Sequence, residues 1–163
     1  MSAEVRVEIQ IAGDATGLPG DDEIRNWLEQ TINAVAPNEE RSVELVVRVV
    51  DEQESRELNS RFRHQDKATN VLAFPAAPVG EFPGVTPEPG EELGDLVLCG
   101  AVIAREAREQ DKNVAAHWGH MLVHGTLHLL GYDHGTDKDA TRMERLESRI
   151  LAGRGVDDPY ATR

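Results

Sequence analysis

One run of histidines and glycines constrains the fold of this chain more than any other part of the sequence. Residues 124–134 read His-Gly-Thr-Leu-His-Leu-Leu-Gly-Tyr-Asp-His. His124 and His128 are four positions apart, so on a helix both imidazoles leave the same face, one turn apart. Gly131 can take the left-handed conformation that ends a helix and turns the chain back. We therefore predict a helix followed by a tight turn that carries His134 towards the first two histidines.

Three converging imidazoles suit a divalent transition metal, with a fourth position open to water or substrate. The spacing H-x3-H-x2-G-x2-H is similar to the zinc-binding frame of the metzincin proteases. In those proteases the residue after the first histidine is the glutamate general base, whereas this chain has Gly125. The sequence thus predicts a zincin-like tri-histidine metal site, occupied by one divalent transition metal such as zinc, from which the proteolytic base is missing.

Two further histidines lie upstream on the same predicted helix, which is apolar nearly all round and therefore buried. Single histidines in such helices are usually hydrogen-bonded core residues. His120 shares the face of His124, so it could contact a metal ligand without binding the metal itself, or it could contact substrate. His117 we interpret as a structural or surface residue, and Asp133 as a residue that orients a ligand or caps the turn.

Composition places the chain among ordinary soluble proteins. Its 163 residues are 39% apolar and 29% charged, which suits one core-bearing domain. The sequence has neither a secretory signal nor an apolar stretch long enough to cross a membrane. A single cysteine, Cys99, excludes an intramolecular disulfide and fits a reducing cytoplasm, and we expect its thiol to be buried.

The net charge of −13 argues against non-specific binding of nucleic acid. The charge is unevenly distributed, however. The segment 61–74 carries a net charge of +2 from Arg61, Arg63 and Lys67 against Asp66, while the segment 75–98 carries five acidic residues and no basic one. A locally basic segment in an otherwise acidic protein favours a selective contact with an anion.

Hydrophobic periodicity predicts one α/β (α+β) domain over residues 1–163, with a mixed sheet of about four strands packed with about five helices. The predicted strands are 3–11, 43–50, 69–74 and 96–99. The predicted helices begin at 21 (ending by Pro37) and span about 52–62, 101–112, 114–130 and 137–151. Prolines and glycines between them predict a mobile loop over about 75–93. The last helix should bury Met143, Leu146 and Ile150.

Several blocks of sequence, in order, resemble one known family. They are Leu58-Asn59 with Phe62-Arg63, then residues 68–75 (Ala-Thr-Asn-Val-Leu-Ala-Phe-Pro), 93–97 (Leu-Gly-Asp-Leu-Val), 116–121 running into the histidine segment, and 157–160 (Asp-Asp-Pro-Tyr). Together they cover roughly residues 45–160 and resemble the bacterial endoribonuclease YbeY family of rRNA maturation factors. The histidine segment is the most specific of these blocks.

This resemblance implies a metal-dependent, single-strand-specific endoribonuclease that acts at the 3′ end of small-subunit rRNA and in ribosome quality control. The family's metal ligands fall on His124, His128 and His134, and its catalytic arginine falls on Arg63. The implied partners are single-stranded rRNA, the small ribosomal subunit with its basic proteins, and an Era-type GTPase. Guanidinium geometry matches phosphate, so Arg63 could bind the RNA backbone.

Two other functions remain open from the residues. The first is a metallohydrolase that acts on peptides or small molecules, against which the missing glutamate base argues. The second is a non-enzymatic ribosome assembly factor, in which a metal stabilises the fold and the acidic surface docks onto basic ribosomal proteins. The sequence also leaves open whether the attacking group would be water or the 2′-hydroxyl of the RNA.

Overall fold

The computed structural model describes residues 3–35, 41–76, 91–133 and 135–160. Within these ranges the chain forms four strands and five helices, as predicted. Their bounds are β1 Ala3–Ile11, α1 Asp21–Val35, β2 Arg41–Val50, α2 Glu52–Arg63, β3 Val71–Pro75, β4 Glu91–Cys99, α3 Gly100–Glu109, α4 Val114–Leu129 and α5 Asp137–Ala152.

The four strands form one mixed sheet in the order β1-β2-β4-β3. Strands β1, β2 and β4 run parallel, and β3 pairs antiparallel with β4 at one edge. Successive side chains of a strand point to opposite faces of a sheet. On β4, Leu96 and Leu98 accordingly face one core while Val97 and Cys99 face another. The predicted single α/β domain with a mixed sheet is thereby confirmed.

The hydrophobic cores on the two faces of the sheet differ in size. Helices α1, α4 and α5 contribute to the larger core on one face, which includes Trp27, Trp118 and Met143. The smaller core on the other face lies under α2 and the first turn of α3. Met143 and Ile150 of α5 are buried and Leu146 is partly buried against the same core, as the sequence predicted. Helix α4 packs against β3 and β4 of the sheet and also contacts α1 and α5.

Strand β4 begins at Glu91, five residues before the start that we predicted at Leu96. Glu91 and Glu92 pair with β2, after which the register shifts and Gly94 takes a positive φ of 139°. This irregularity breaks the alternation that identifies a strand from sequence. Residues 91–93 of the predicted loop about 75–93 are thus strand, and residues 77–90 lie outside the described residues.

Two expectations drawn from composition can be compared with the structure. Cys99 is fully buried, and burial raises the pKa of its thiol, which agrees with the expected buried side chain. Among the described helices, none combines the length and the apolar composition that a membrane span requires.

Candidate functional site

Helix α4 ends as the histidine–glycine spacing predicts. Gly131 has a φ of 98°, its N–H donates to the carbonyl of His128 at 3.0 Å, and the N–H of Tyr132 donates to that of Leu127 at 3.0 Å. This pair of bonds is the Schellman motif, which requires a left-handed residue after the helix. The chain therefore turns back directly after the histidine pair. His134 lies outside the described residues, so its approach to the pair stays a prediction.

The two helical histidines face each other as potential metal ligands. Nε2 of His124 lies 3.2 Å from Nε2 of His128. Two nitrogens bound tetrahedrally to one zinc ion, each at about 2.0–2.1 Å, would be about 3.3 Å apart. The separation of this pair therefore fits a shared metal ion without any change of backbone.

A carboxylate of α5 holds the other ring nitrogen of His124. Oε1 of Glu147 lies 2.7 Å from Nδ1 of His124, while Oε2 lies 2.7 Å from Nε2 of His120 and also accepts a hydrogen bond from the Tyr160 hydroxyl. Burial acts to raise the pKa of Glu147, but the hydrogen bonds of His120 and His124 hold it well below its usual value. An ionised Glu147 makes Nδ1 of His124 a donor, which leaves the Nε2 lone pair directed towards His128.

A second set of potential ligands overlaps the first. His120, His124 and Glu147 offer ligand atoms that lie within 4.8 Å of one another, so this buried group could hold a metal ion. Its ligand atoms are already paired by hydrogen bonds between histidine and carboxylate. Burial also lowers the pKa of His120, which favours the neutral form of its ring. The two sets share His124.

His117 lies one turn before His120 and has its own carboxylate partner. It is buried, and its Nε2 lies 2.9 Å from Oε1 of Glu106. The side-chain amide of Asn70 donates to the same carboxylate at 3.0 Å. These contacts support the structural interpretation of His117.

Arg63 is the last residue of α2, and its side chain reaches across to β3. Nη2 donates to the carbonyl of Ala73 at 2.8 Å, and the guanidinium carbon lies 5.3 Å from the centre of the Phe74 ring. The residue is exposed, and no carboxylate in the described part of the chain forms an ion pair with it. Its guanidinium is thus held in place without an acidic partner among the described residues.

Arg63 and the histidine pair line the same cavity, which has a volume of about 460 Å³. The lining residues come from the end of α2, from β3 with the residues before it, from α4 and from the turn after it: Arg63, Thr69, Asn70, Val71, Leu72, Ala73, Pro75, His124, Gly125, His128, Tyr132 and Asp133. A larger cavity of about 720 Å³ near the start of α4 includes neither Arg63 nor the histidine pair.

Asp133 accepts a hydrogen bond from the N–H of Gly135, which agrees with the predicted role of Asp133 in capping the turn.

The structure also explains why no glutamate follows the first histidine. A Cβ atom at Gly125 would lie 2.8 Å from Cδ2 of Leu96 and 3.1 Å from Cγ2 of Val71. Both contacts are closer than ordinary packing, and Leu96 is fully buried. This face of α4 is packed against the sheet, so a glutamate side chain here would have to displace the core.

Sequence reasoning missed Glu147 as a site residue, and Tyr160 as its hydrogen-bond partner. Glu147 lies four residues after Met143 and three before Ile150, on the apolar face of α5. A lone carboxylate at a core-facing position is costly to bury without a partner. That conflict with the helical pattern is the signal that could have identified Glu147 from the sequence.

Fold and site together define a class of protein: a single α/β domain with a histidine and carboxylate centre that could hold a metal ion, set beside an exposed arginine. The model of the endoribonuclease YbeY family matches residues 10–155. Endoribonuclease YbeY of Idiomarina loihiensis is 43% identical over 160 residues, which cover 98% of this chain and 94% of that protein. The chain therefore belongs to the YbeY family of endoribonucleases, and the prediction that the protein is an endoribonuclease is confirmed.

A solved structure supports the fold. A Thermotoga maritima protein known from its solution structure superimposes with a TM-score of 0.54 at 24% identity, over 95% of this chain and 99% of that one. At this level of identity the likeness concerns the fold alone.

Proposed function

We propose that the protein is a metal-dependent endoribonuclease, specific for single-stranded RNA, that matures the 3′ end of small-subunit rRNA and acts in ribosome quality control. Family membership supports the activity class. The observation that carries the proposal for this chain is that Arg63, His124 and His128 line one cavity. A phosphodiester in that cavity would meet a cation on one side and the metal ligands on the other.

The proposed ligands of the metal are His124, His128 and His134, and the proposed ion is zinc. The 3.2 Å separation of the first two Nε2 atoms supports this set, and so does the carboxylate that orients His124 through its other nitrogen. Imidazole ligands suit zinc. When bound, such an ion polarises a phosphoryl oxygen and lowers the pKa of a coordinated water to about 7.

The proposed role of Arg63 is to bind the phosphate next to the bond that is cleaved. A guanidinium has five N–H donors, of which the carbonyl of Ala73 engages one at Nη2 and that of Phe62 lies 3.4 Å from Nη1. The remaining donors can form a bidentate contact with phosphate oxygens and offset charge that grows on them. Fixing the guanidinium on β3 before substrate arrives reduces the entropy that binding would otherwise cost.

The location of these groups supports the proposed preference for single strands. They line one recess between the end of α2, β3 and α4. A flexible strand can turn a phosphodiester into such a recess and splay its bases apart, whereas a stacked duplex cannot.

The proposed setting is the cytoplasm, with the small ribosomal subunit as the place of action. The net charge of −13 would favour contact with basic ribosomal proteins and oppose general coating of RNA. An Era-type GTPase is proposed as a further partner on the basis of family membership.

A cleavage assay on single-stranded and duplex RNA of the same sequence tests the proposal. Wild type should cleave the single strand only, His128→Ala should lose the activity, and His117→Ala should retain it because its side chain is bonded to Glu106 outside the proposed ligand set. Equal cleavage by wild type and His128→Ala would assign the activity to a contaminating nuclease and favour the non-enzymatic assembly factor.

A further inference from the structure

Phe62 is an aromatic side chain that the fold leaves in solvent. Its exposed fraction is 48%, and the only other large hydrophobic residue exposed in the described part of the chain is Ile11. Ile11 ends β1, at the edge of the sheet opposite β3. Phe62, by contrast, directly precedes Arg63 on α2, and Arg63 lines the cavity of the proposed site.

Phe74 of β3 contacts both Phe62 and Arg63. The rings of Phe62 and Phe74 meet edge to face, with centroids 5.3 Å apart and planes at 70°. The guanidinium carbon of Arg63 lies 5.3 Å from the centre of the same Phe74 ring, and that of Arg61 lies 5.5 Å from the centre of the Phe62 ring. The four side chains therefore form one surface, the Phe62 platform, in which the paired rings of Phe62 and Phe74 lie between the guanidinium groups of Arg61 and Arg63.

Among the described residues, no acid compensates the positive charge of the platform. Neither Arg61 nor Arg63 forms an ion pair with a carboxylate in the described part of the chain. The nearby acid, Asp66, is instead engaged by both Nε and Nη2 of Arg56, at 2.7 and 3.0 Å. Two cations that pair with no described acid, beside an exposed ring, match the chemistry of single-stranded nucleic acid, whose phosphates are anionic and whose bases stack on aromatic side chains.

We propose that Phe62 stacks against a base of the single-stranded RNA substrate, in the nucleotide adjoining the phosphate that Arg63 binds; this rests on the function proposed above. Stacking needs only the flat face that every base has, so the platform would bind RNA with little sequence preference. Within a duplex both faces of a base are covered by its neighbours in the stack. The platform would thus select for unpaired nucleotides next to the cleavage site.

Affinity for a single-stranded 2′-O-methyl RNA oligonucleotide, verified intact after each measurement, tests the platform in the metal-loaded protein. Phe62→Leu keeps an apolar side chain but cannot stack, and should weaken binding by about 5- to 150-fold. Phe62→Trp should bind at least as tightly as wild type. Ile11→Leu is the matched control at the other exposed hydrophobic position and should leave the affinity unchanged.

The salt dependence of binding separates stacking from an indirect effect on Arg63. Removing one phosphate contact should reduce the slope of log K against log salt by about 0.7 for a single strand, so Arg63→Ala should have a shallower slope. Phe62→Leu should have the wild-type slope, because no charge is lost. A shallower slope in Phe62→Leu would show that Phe62 only supports Arg63 and would overturn the stacking role.

The remaining outcomes also decide between the two proposals. If wild type binds and cleaves single strands and Phe62→Leu binds equally well, the platform is wrong while the proposed function stands, and Phe62 becomes a candidate contact for a protein partner. If wild type neither binds nor cleaves single-stranded RNA, both proposals are wrong.

Discussion

The buried carboxylate of Glu147 lies 2.7 Å from Nδ1 of His124, and this contact determines which ring nitrogen faces His128. The two residues come from helices α5 and α4, so the orientation of a potential metal ligand depends on how the C-terminal helix packs. Tyr160 donates to the other oxygen of the same carboxylate, which connects the segment after α5 to the site.

Replacing Glu147 should therefore weaken metal binding without removing it. Glu147→Gln keeps the shape of the side chain but provides only one acceptor oxygen for His120 and His124. Loss of a hydrogen-bond partner of a metal-bound histidine typically weakens metal affinity by about 10–100-fold. Competition with a chromophoric chelator measures this change. The matched control is Glu109→Gln, an exposed change at the end of α3. Wild-type affinity in Glu147→Gln would show that the carboxylate does not orient a ligand.

Single histidine substitutions distinguish the two overlapping ligand sets. We predict that His124→Ala, His128→Ala and His134→Ala each lose most of the bound metal, because each would remove one of three protein ligands. His120→Ala and His117→Ala should retain it. Elemental analysis of the purified variants gives the occupancy. Loss of metal in His120→Ala with full occupancy in His128→Ala would instead favour the set of His120, His124 and Glu147.

Arg63→Ala should keep the metal and the fold but lose cleavage of RNA. The side chain is exposed and lies outside the proposed ligand set, so its removal should cost little stability. Arg63→Lys should restore little activity, since a point charge cannot replace a bidentate contact. Single-turnover cleavage with matched metal content is the measurement, and Arg149→Ala, an exposed change on α5, is the control. Wild-type rates in Arg63→Ala would reduce Arg63 to a surface charge.

The Glu106 carboxylate should make stability depend on acid pH. Burial acts to raise its pKa, but hydrogen bonds from His117 and Asn70 outweigh burial and lower it. A carboxyl group with a lowered folded-state pKa stabilises the protein above the unfolded value of about 4.3, and this contribution disappears as the pH falls through the folded value. Glu106→Gln should therefore be less stable than wild type at neutral pH, by a difference that shrinks below about pH 4.

Urea unfolding of wild type and Glu106→Gln at several pH values measures that difference. Glu109→Gln, which changes an exposed carboxylate on the same helix, should have no comparable dependence. A difference between wild type and Glu106→Gln that stays constant down to about pH 3 would mean that the pKa of Glu106 is not lowered by folding.

Local patterns were sufficient to predict most of the fold. The alternation of Val5, Val7 and Ile9 predicts β1, and the histidine–glycine spacing predicts the end of α4, because both depend on neighbours in sequence. The start of β4 was not predictable, since its first residues pair with a distant strand across an irregular register. Glu147 was missed for a related reason: its partners lie 27 and 23 residues away on another helix.

The relation of Arg63 to the histidines shows the same limit. Family resemblance pointed to Arg63, but only the packing of α2, β3 and α4 places it on the cavity that His124 and His128 line. Spacing within the sequence contains no information on how close these side chains lie, because 60 residues stand between Arg63 and His124.

Metal titration of the metal-free protein, with single-stranded RNA cleavage as the readout, is the sharpest test of whether His124 and His128 hold a catalytic metal. We expect no cleavage without metal, a rate that rises with added zinc, and saturation at about one ion per chain, as a site with three histidine ligands requires. His128→Ala should remain inactive throughout the titration. Full cleavage by the metal-free protein, or by His128→Ala, would contradict the assignment of His124 and His128 as ligands of a catalytic metal.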